Sequence, residues 1–388
     1  MKKIMKALAL LLAMIMLTGC GARSEGGTVE LFAVNVGKGD ALILRVDNWV
    51  GLIDAGKAQS MSRVRAALRA LGVTALDAVF LTHTDSDHGG GLAWLAASGL
   101  PVGAWYAPAM YTGVKAGKHP ASRAAQVRGT EVRWLQRGDA IALGDTGATL
   151  KVLAPATLFT DKDDNNSLVM LLETAQGRML LTGDMELPEE AELLSRGDDL
   201  RCAVLKAPNH GDDDTLSQAF ADACRAQAAI ISTDSREKPG TPDPGVVSRL
   251  MAAGTTVHVT QDAALGLEVT LNGGQASVQY VGIDAPTAGV SIQSIVPGAD
   301  TVTLKNDGAD CDMTGWSVYS DRGGELFAFP DGYVLPAGGT VTLGSNSSKG
   351  GYDLLWDDKK VVHKSKTDTF TLYDAWGRPA DIADNGMN

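Results

Sequence analysis

The feature that most constrains this chain is a polar cluster placed directly after an apolar run. Residues 78–82 have the pattern of a buried strand, and His83, Asp85, Asp87 and His88 follow within six residues. Two of the chain's six histidines lie here. Imidazole and carboxylate groups are ligands of divalent cations, and without a cation they would lack compensating charge beside a core. The cluster therefore predicts a metal site at the end of a strand.

The pattern around this cluster indicates an α/β fold followed by a β-rich unit. From residue 29 to about 283, early apolar strands meet in hairpins and later strands alternate with amphipathic helices, which predicts two sheets with helices outside. After residue 289, short β runs lie between Gly, Asn, Asp and Pro turns, as in a small β-sandwich. We therefore predict a domain over residues 29–284, a linker over 285–288 and a second domain over 289–388.

The amino terminus has the pattern of a bacterial export signal. Three lysines precede the uninterrupted apolar run Ala7–Leu17. The run leads into Leu-Thr-Gly followed by Cys20, which resembles the lipobox of bacterial lipoproteins. That resemblance implies a signal peptide over residues 1–20, a lipid anchor on Cys20, a tether over residues 21–28, and a position on the outer face of a bacterial cell membrane. An ordinary cleaved signal with an incidental cysteine is the alternative.

Net charge limits the partners that the whole surface can bind. The chain carries 34 basic and 46 acidic side chains, a formal net charge of −12, which argues against a protein that coats polyanions in general. Residues 111–140 differ, with six basic residues against two acidic ones. They predict either a surface that guides a phosphate substrate or an ordinary solvated face. Trp105, Tyr106 and Tyr111 are expected to pack in a core, with stacking on nucleic-acid bases as the alternative.

The polar cluster at residues 83–88 also resembles the motif of a known family. His83-x-Asp85-x-Asp87-His88-Gly-Gly resembles the signature of the metallo-β-lactamase fold, in the variant found in the extracellular hydrolase domain of ComEC-type competence proteins. Further segments that are similar to the family, in the same order, are residues 32–41, 52–56, 165–169, 180–184 and 205–211. The resemblance spans about residues 29–283. It implies an α/β fold of the αββα sandwich type.

The resemblance implies positions for two divalent metal ions, Zn²⁺ or Mn²⁺. Carried over by position, the metal ligands are His83, Asp85, Asp87, His88, Asp184 and His210. His83 and Asp85 would hold one ion. Asp87, His88 and His210 would hold the other. Asp184 ends an apolar strand, where an unpaired carboxylate would be costly, and it is expected to bridge the two ions.

The activity implied by the resemblance is hydrolysis, with a phosphodiester, including extracellular DNA, as the favoured substrate. The two metal ions would activate the attacking water, and Asp85 or Asp87 would orient it. Asn166 would hydrogen-bond substrate oxygens or ligand carboxylates, and Lys206 would offset phosphate charge. The expected protein is a surface-anchored metal-dependent hydrolase that acts as a phosphodiesterase or nuclease.

Two other functions stay open on the sequence alone. One keeps the metals but hydrolyses a choline-type or teichoic-acid-type phosphodiester of the cell envelope. The other is a degenerate, non-catalytic binding module, which is suggested by Asn209 because the resembled motif has a histidine there. ComEC-type proteins also carry a membrane channel. No apolar run after the first twenty residues approaches the roughly 20 residues of a spanning helix, so direct DNA translocation is not expected.

The carboxyl-terminal residues carry a second resemblance. Residues 302–308, 313–316, 335–341 and 372–377 are similar, in order, to motifs of the lamin-tail domain, an immunoglobulin-like β-sandwich. Trp316 is expected in the core of this domain. The position of the domain in the chain suggests a targeting role toward the cell wall, a membrane or an extracellular polymer.

Overall fold

The computed structural model of this protein describes residues 27–387. The predicted signal peptide, Cys20 and most of the predicted tether lie outside the described residues, so the lipid anchor stays a prediction. Within residues 27–387, no helix combines the length and the apolar character needed to cross a bilayer.

The first domain contains both strands and helices. Its strands are β1 (Val29–Val34), β2 (Leu42–Val46), β3 (Trp49–Ile53), β4 (Ala78–Phe80), β5 (Trp105–Pro108), β6 (Val132–Leu135), β7 (Ala140–Ala142), β8 (Thr149–Ala154), β9 (Val169–Thr174), β10 (Gly177–Leu181), β11 (Val204–Lys206), β12 (Ala228–Ile231), β13 (Thr256–Val259), β14 (Gly266–Asn272) and β15 (Gln275–Val281). Its helices are α1 (Met61–Ala70), α2 (Ser86–Gly89), α3 (Leu92–Ala97), α4 (Pro120–Val127), α5 (Leu187–Ser195), α6 (Gln218–Cys224) and α7 (Pro244–Ala252).

These strands form two mixed sheets. The first has the order β15-β14-β1-β2-β3-β4-β5-β6 and the second has the order β13-β12-β11-β10-β9-β8-β7. Hairpins make the early pairs antiparallel, whereas β3 to β6 and β10 to β13 run parallel. Parallel neighbours need crossover connections, which the helices provide here. The carboxyl ends of the parallel strands consequently lie at one edge of each sheet.

The alternation of side chains along each strand separates one shared core from two outer cores. Leu31 and Ala33 of β1 belong to the core between the sheets, whereas Phe32 and Val34 pack with the helices on the outer face. Strand β9 alternates in the same way between the shared core and the helices of the second sheet. Because successive side chains of a strand point to opposite faces, both faces of each sheet must be covered. The predicted αββα sandwich is confirmed.

The helical structure near the metal motif starts earlier than the sequence pattern predicts. Apolar spacing predicts a helix from Gly90, but α2 begins at Ser86, so Asp87 and His88 lie on a helical turn. Residues 86–89 contain no apolar side chain on which periodicity could show. Asp85 precedes this turn in extended conformation.

The second domain contains only strands among its regular elements in the described residues. They are β16 (Val290–Val296), β17 (Thr301–Asn306), β18 (Cys311–Asp312), β19 (Ser317–Ser320), β20 (Leu326–Ala328), β21 (Val334–Leu335), β22 (Thr340–Ser345), β23 (Leu354–Trp356), β24 (Thr369–Tyr373) and β25 (Pro379–Asp384). The main sheets have the orders β16-β17-β22-β23 and β20-β19-β24-β25. Trp316 is buried in their shared core, as predicted.

Helix α1 carries the contact between the two domains. Arg63 donates from Nε to the carbonyl oxygen of Gly377 at 3.3 Å and from Nη1 to that of Asn35 at 3.2 Å. Arg65 pairs with Asp331 at 3.2 Å, and Trp376 packs against the outer core of the first sheet. The second domain therefore rests directly on the helix layer of the first.

Candidate metal centre

The predicted site residues converge at the edge where parallel strands of both sheets end. His83 follows β4, Asp184 follows β10 and His210 follows β11, each within four residues of the strand end. The amide of Leu168 donates to the carbonyl oxygen of Thr82 at 2.9 Å and joins the two sheets at this edge. Residues distant in sequence are thereby placed side by side.

One group of ligand atoms, the His88 cluster, comprises Asp40, His88, Asp184 and His210. One potential ligand atom from each of these residues lies within 4.8 Å of the others, and all four residues are buried. Asp184 Oδ2 is 3.1 Å from His88 Nε2 and 2.9 Å from His210 Nε2. The two ring nitrogens are 3.2 Å apart. This is a dense convergence of imidazole and carboxylate donors on one point.

Asp54 fixes the orientation of His88. Its Oδ2 lies 2.7 Å from His88 Nδ1 and accepts from the Thr82 hydroxyl at 2.7 Å, while its Oδ1 accepts from the Thr82 amide at 2.8 Å. With Nδ1–H donated to this carboxylate, the Nε2 lone pair of His88 faces the cluster. Asp54 has a φ of 59°, in the left-handed region that aspartate and asparagine tolerate better than most residues.

A tight turn after β11 aims His210 at the same point. Asn209 and His210 both have positive φ, 39° and 54°, and His210 Nδ1 donates to the carbonyl oxygen of Ser232 at 2.8 Å. This leaves Nε2 toward the cluster. The Asn209 side chain points instead to Glu186, with Nδ2 at 3.5 Å from Oε1, so the residue that departs from the family motif does not face the metal ligands.

A second group, the His83 cluster, adjoins the first. It comprises His83, Asp85 and Asp164, which each place one ligand atom within 4.8 Å of the others. His83 Nε2 is 3.7 Å from Asp164 Oδ1 and 4.0 Å from Asp184 Oδ2. Asp184 therefore lies between the two clusters, and its role as a bridging ligand stays a prediction.

Burial and mutual charge shift the titration of these groups. Burial opposes a charge on His88, but Asp184 and Asp54 outweigh it and raise its pKa well above the usual histidine value. Burial, together with the charges of Asp184 and Asp85, raises the pKa of Asp164 to about 7. Metal uptake must displace protons held in this way, so we expect metal binding to weaken as the pH is lowered.

Three buried polar atoms fit a cation better than they fit the protein alone. His83 Nε2, Asp40 Oδ1 and Asp184 Oδ1 have no hydrogen-bond partner among the described residues. Most buried polar atoms in proteins have partners, so these point to partners of another kind. Imidazole and carboxylate together suit Zn²⁺ or Mn²⁺. Such ions, when bound, stabilise developing negative charge and lower the pKa of a coordinated water.

Asp87 lies at the edge of the His88 cluster. Its Oδ2 pairs with Lys38 Nζ at 2.5 Å and lies 3.6 Å from His210 Nε2. Burial opposes its charge, but nearby cationic groups, led by His88, lower its pKa to about 2. A ligand atom of Asp40, rather than of Asp87, belongs to the tight group around His88, and the metal role implied for Asp87 stays a prediction. Asp87 instead forms the more exposed rim of the cluster with Lys38.

Lys206 does not face substrate, which corrects the role implied for it. Its ammonium is buried, 2.7 Å from Asp40 Oδ2, and donates to the carbonyl oxygen of Ala207 at 2.9 Å. It therefore neutralises a cluster carboxylate rather than a phosphate. The turn carrying Asp40 packs closely against α2. Only glycine fits at position 39, since a Cβ there would be 2.5 Å from the Asp87 carbonyl oxygen.

Asn166 likewise differs from its predicted role. Its Oδ1 accepts from the Phe159 amide at 2.8 Å, and its Nδ2 donates to the carbonyl oxygen of Phe159 at 2.8 Å. Further contacts of Nδ2 reach Lys162 and Asp163. The side chain is fully buried, and its amide is used in shaping its own loop. It positions the loop that carries Asp164 and leaves substrate contacts to other groups.

Sequence reasoning missed the roles of four aspartates. Asp40 and Asp54 lie inside segments that were matched to the family, but nothing in those segments separates a ligand from a turn residue. The acidic run 161–164 predicts a solvated turn, which is wrong for Asp163 and Asp164. Asp163 is buried and accepts from the amide and hydroxyl of Thr84 at 2.8 and 2.6 Å. This anchor holds Asp164 next to the metal motif.

We expect Asp54→Asn to weaken metal binding by about 10–100-fold, because asparagine has one acceptor oxygen and no charge, whereas Asp54 accepts from His88 Nδ1 through Oδ2 and from the Thr82 amide through Oδ1. Asparagine keeps the size and the left-handed backbone. Isothermal titration calorimetry of the metal-free protein with Mn²⁺ or Zn²⁺ measures the metal affinity. Asp47→Asn is the matched control, since Asp47 also has positive φ, 54°, but lies in the turn between β2 and β3. Equal affinities in the two variants would contradict the role of Asp54.

Two adjoining histidine–carboxylate clusters at the carboxyl edge of an αββα sandwich define a metal-dependent hydrolase. The family comparison agrees with this geometry. The Metallo-beta-lactamase superfamily model matches residues 34–235, and the chain belongs to this superfamily. The Lamin Tail Domain model matches residues 284–385, which confirms the predicted class of the second domain.

Curated relatives match more than half of the chain. ComE operon protein 3 of Bacillus subtilis is 27% identical over 239 residues, covering 55% of this chain and 29% of that protein. Competence protein ComA of Neisseria gonorrhoeae is 28% identical over 249 residues, covering 63% of this chain and 33% of that protein. The chain thus spans about a third of the length of these relatives. Among solved structures, Zn²⁺-bound PqqB from Methylobacterium extorquens is similar at 17% identity and a TM-score of 0.38, covering 59% of this chain and 85% of that one.

Proposed function

We propose that this protein is a metal-dependent phosphodiesterase of the nuclease type, held at the outer face of a bacterial cell membrane. The observation that carries the proposal is the position of Asp184 between two clusters of ligand atoms, with buried donor atoms that lack partners in the described residues. Paired metal sites of this kind serve the attacking and leaving oxygens in hydrolases of phosphate esters.

The donor set favours phosphodiester chemistry. Four carboxylates and three imidazoles converge in the two clusters. Hard oxygen donors suit ions such as Mn²⁺ and Mg²⁺, which are common in phosphoryl transfer. A site for Zn²⁺ alone could be made of histidines only. The similarity to competence proteins agrees with this choice.

Substrate access is open on the side of the His83 cluster. A cavity of about 420 Å³ is lined by Thr84, Asp85, Ser86 and Thr112, among others. Asp85 belongs both to this cavity and to the cluster, so it is placed to orient a water toward a substrate phosphorus atom. Lys38, at the rim with Asp87, places a cation on the other side, where it could contact a phosphate oxygen.

The proposed location depends on Cys20 and on the named relatives. A lipid anchor at Cys20 would hold the catalytic domain outside the membrane, where extracellular DNA or an envelope polymer is accessible. The cell-envelope phosphodiester and the non-catalytic module stay as the competing functions that the following experiment separates.

We expect the purified protein to hydrolyse bis-p-nitrophenyl phosphate only with added Mn²⁺ or Zn²⁺, and EDTA to abolish turnover. His88→Ala is expected to lower the rate at least about 100-fold, because it removes a ligand that holds the cation. His258→Ala, at a strand outside both clusters, is the control and should leave the rate unchanged. A protein that binds no divalent ion would support the non-catalytic module. Faster cleavage of a glycerol-phosphate polymer than of linear DNA would favour the envelope substrate.

A further inference from the structure

An aromatic surface lies at the outer edge of the first sheet. Tyr111 and Trp134 are stacked with ring centroids 5.6 Å apart at 23°. His119 meets both rings edge-on, at 4.6 Å from Tyr111 and 4.9 Å from Trp134. We call these three residues the aromatic edge. Trp134 belongs to β6, the terminal strand of its sheet, and 42% of it is exposed.

His119 holds the two larger rings in place without being exposed itself. It is fully buried, and neither of its ring nitrogens has a hydrogen-bond partner among residues 27–387. Burial lowers its pKa to about 4, so the ring is neutral and packs as an aromatic group. Trp105 and Tyr106, by contrast, are buried in the cores of the domain as expected. Tyr111 and Trp134 are therefore the aromatic groups of this region that a ligand can reach.

The aromatic edge is joined to the cavity at the metal centre by Thr112, the neighbour of Tyr111 in the chain. Thr112, next to Tyr111, donates its amide to Asp163 Oδ1 at 2.6 Å, and the other carboxylate oxygen of Asp163 holds Thr84. The cavity that opens onto Asp85 is lined by Thr84 and Thr112. A polymer bound in this cavity would therefore lie beside the segment that carries Tyr111.

The segment beside the aromatic rings is basic in an acidic protein. Lys115, Lys118 and Arg123 are exposed, and none of them lies within ion-pair distance of a carboxylate in the part of the chain that the structure describes. Lys115 and Lys118 flank the same short turn immediately before His119. Exposed aromatic faces together with unpaired cations match a ligand that has both π-faces and backbone phosphates.

We infer that the aromatic edge is a base-stacking site for single-stranded nucleic acid, with Lys115, Lys118 and Arg123 contacting its backbone. This inference rests on the proposed phosphodiesterase function and specifies its substrate. Unpaired bases are required, because in a duplex the base faces are covered by their neighbours. A strand held here would be directed into the cavity at Asp85.

Binding can be tested apart from hydrolysis. Fluorescence anisotropy in EDTA would compare a labelled short oligothymidine with an abasic strand of the same length and charge. The protein is expected to bind oligothymidine more tightly, and Trp134→Ala to weaken that binding about tenfold while leaving the abasic strand unaffected. The double replacement Lys115→Ala with Lys118→Ala should weaken both probes alike. Trp134→Phe should retain most of the preference, because phenylalanine keeps an aromatic face.

Tyr280→Ala is the matched control. Tyr280 is 47% exposed on β15, the opposite terminal strand of the same sheet. Its replacement should change the binding of neither probe, and it should leave bis-p-nitrophenyl phosphate turnover and the thermal midpoint unchanged. The inference would be overturned if the abasic strand bound as tightly as oligothymidine, or if a glycerol-phosphate polymer competed as well as unlabelled oligothymidine. It would also be overturned if Trp134→Ala had no effect on binding. If this binding is present but metal-dependent turnover is absent, the proposed function fails and the binding site stands.

Discussion

Replacing Asp184 by asparagine is expected to reduce metal-dependent phosphodiester hydrolysis by about 10³-fold, because the bridging position supports both clusters and metal assistance contributes several kcal/mol to the transition state. Asp184 Oδ2 lies within 3.1 Å of two imidazole nitrogens and 4.0 Å from a third. A carboxamide has the same shape but carries no charge and offers only one acceptor oxygen. The number of metal ions per chain, measured by mass spectrometry of the metals, should fall together with the rate.

The effect at Asp184 can be distinguished from a general loss of acidic charge. Asp145→Asn removes a charge from an exposed turn and should preserve both rate and metal content. The thermal unfolding midpoint of each variant, measured without metal, shows whether the fold is retained. An Asp184→Asn protein that keeps its metal ions and its rate would contradict the central position given to this residue.

Lys206→Met is expected to lower the free energy of unfolding by about 3–5 kcal/mol in metal-free protein, the usual effect of leaving one member of a buried ion pair alone. Lys206 and Asp40 have side chains only 1% exposed, and their charged atoms are 2.7 Å apart. Methionine retains the length of the lysine stem but cannot compensate the Asp40 carboxylate. Urea unfolding in EDTA measures the change.

A second replacement tests the origin of that loss. Asp40→Asn in the Lys206→Met background removes the uncompensated charge and should recover a large part of the stability. Lys151→Met, which breaks the exposed pair with Glu173, is the control and should cost no more than about 1 kcal/mol. If the double variant is no more stable than Lys206→Met alone, the loss comes from packing, and the account of Lys206 is wrong.

The order of strands and helices could be predicted because it depends on local periodicity. Strands with apolar residues on both faces must lie between two layers. Leu31 and Phe32, adjacent in β1, accordingly pack into different cores on the two faces of the sheet. The start of α2 could not be predicted, since its turn is made of polar residues and glycine. It is held by backbone contacts such as the Ala55 amide with the His88 carbonyl oxygen, at 2.8 Å.

The candidate site was predicted in part. His83, His88, Asp184 and His210 meet at one edge because each follows a strand whose parallel neighbour ends there. The orientation of each side chain depends on a hydrogen-bond partner from another segment, such as Asp54 for His88. Those partners lie in turns that have no distinctive spacing.

Local sequence therefore determined the layers of the fold and the chemical type of the site: short apolar strands, strand-end histidines and aspartates, and a β-rich second domain. Only the tertiary structure decided which carboxylate joins which imidazole. It placed Asp40 in the His88 cluster beside Lys206, and Asp164 beside His83. The physical reason is that periodicity follows from neighbours along the chain, whereas charge pairing and ligand orientation depend on distances between segments that are brought together only by folding.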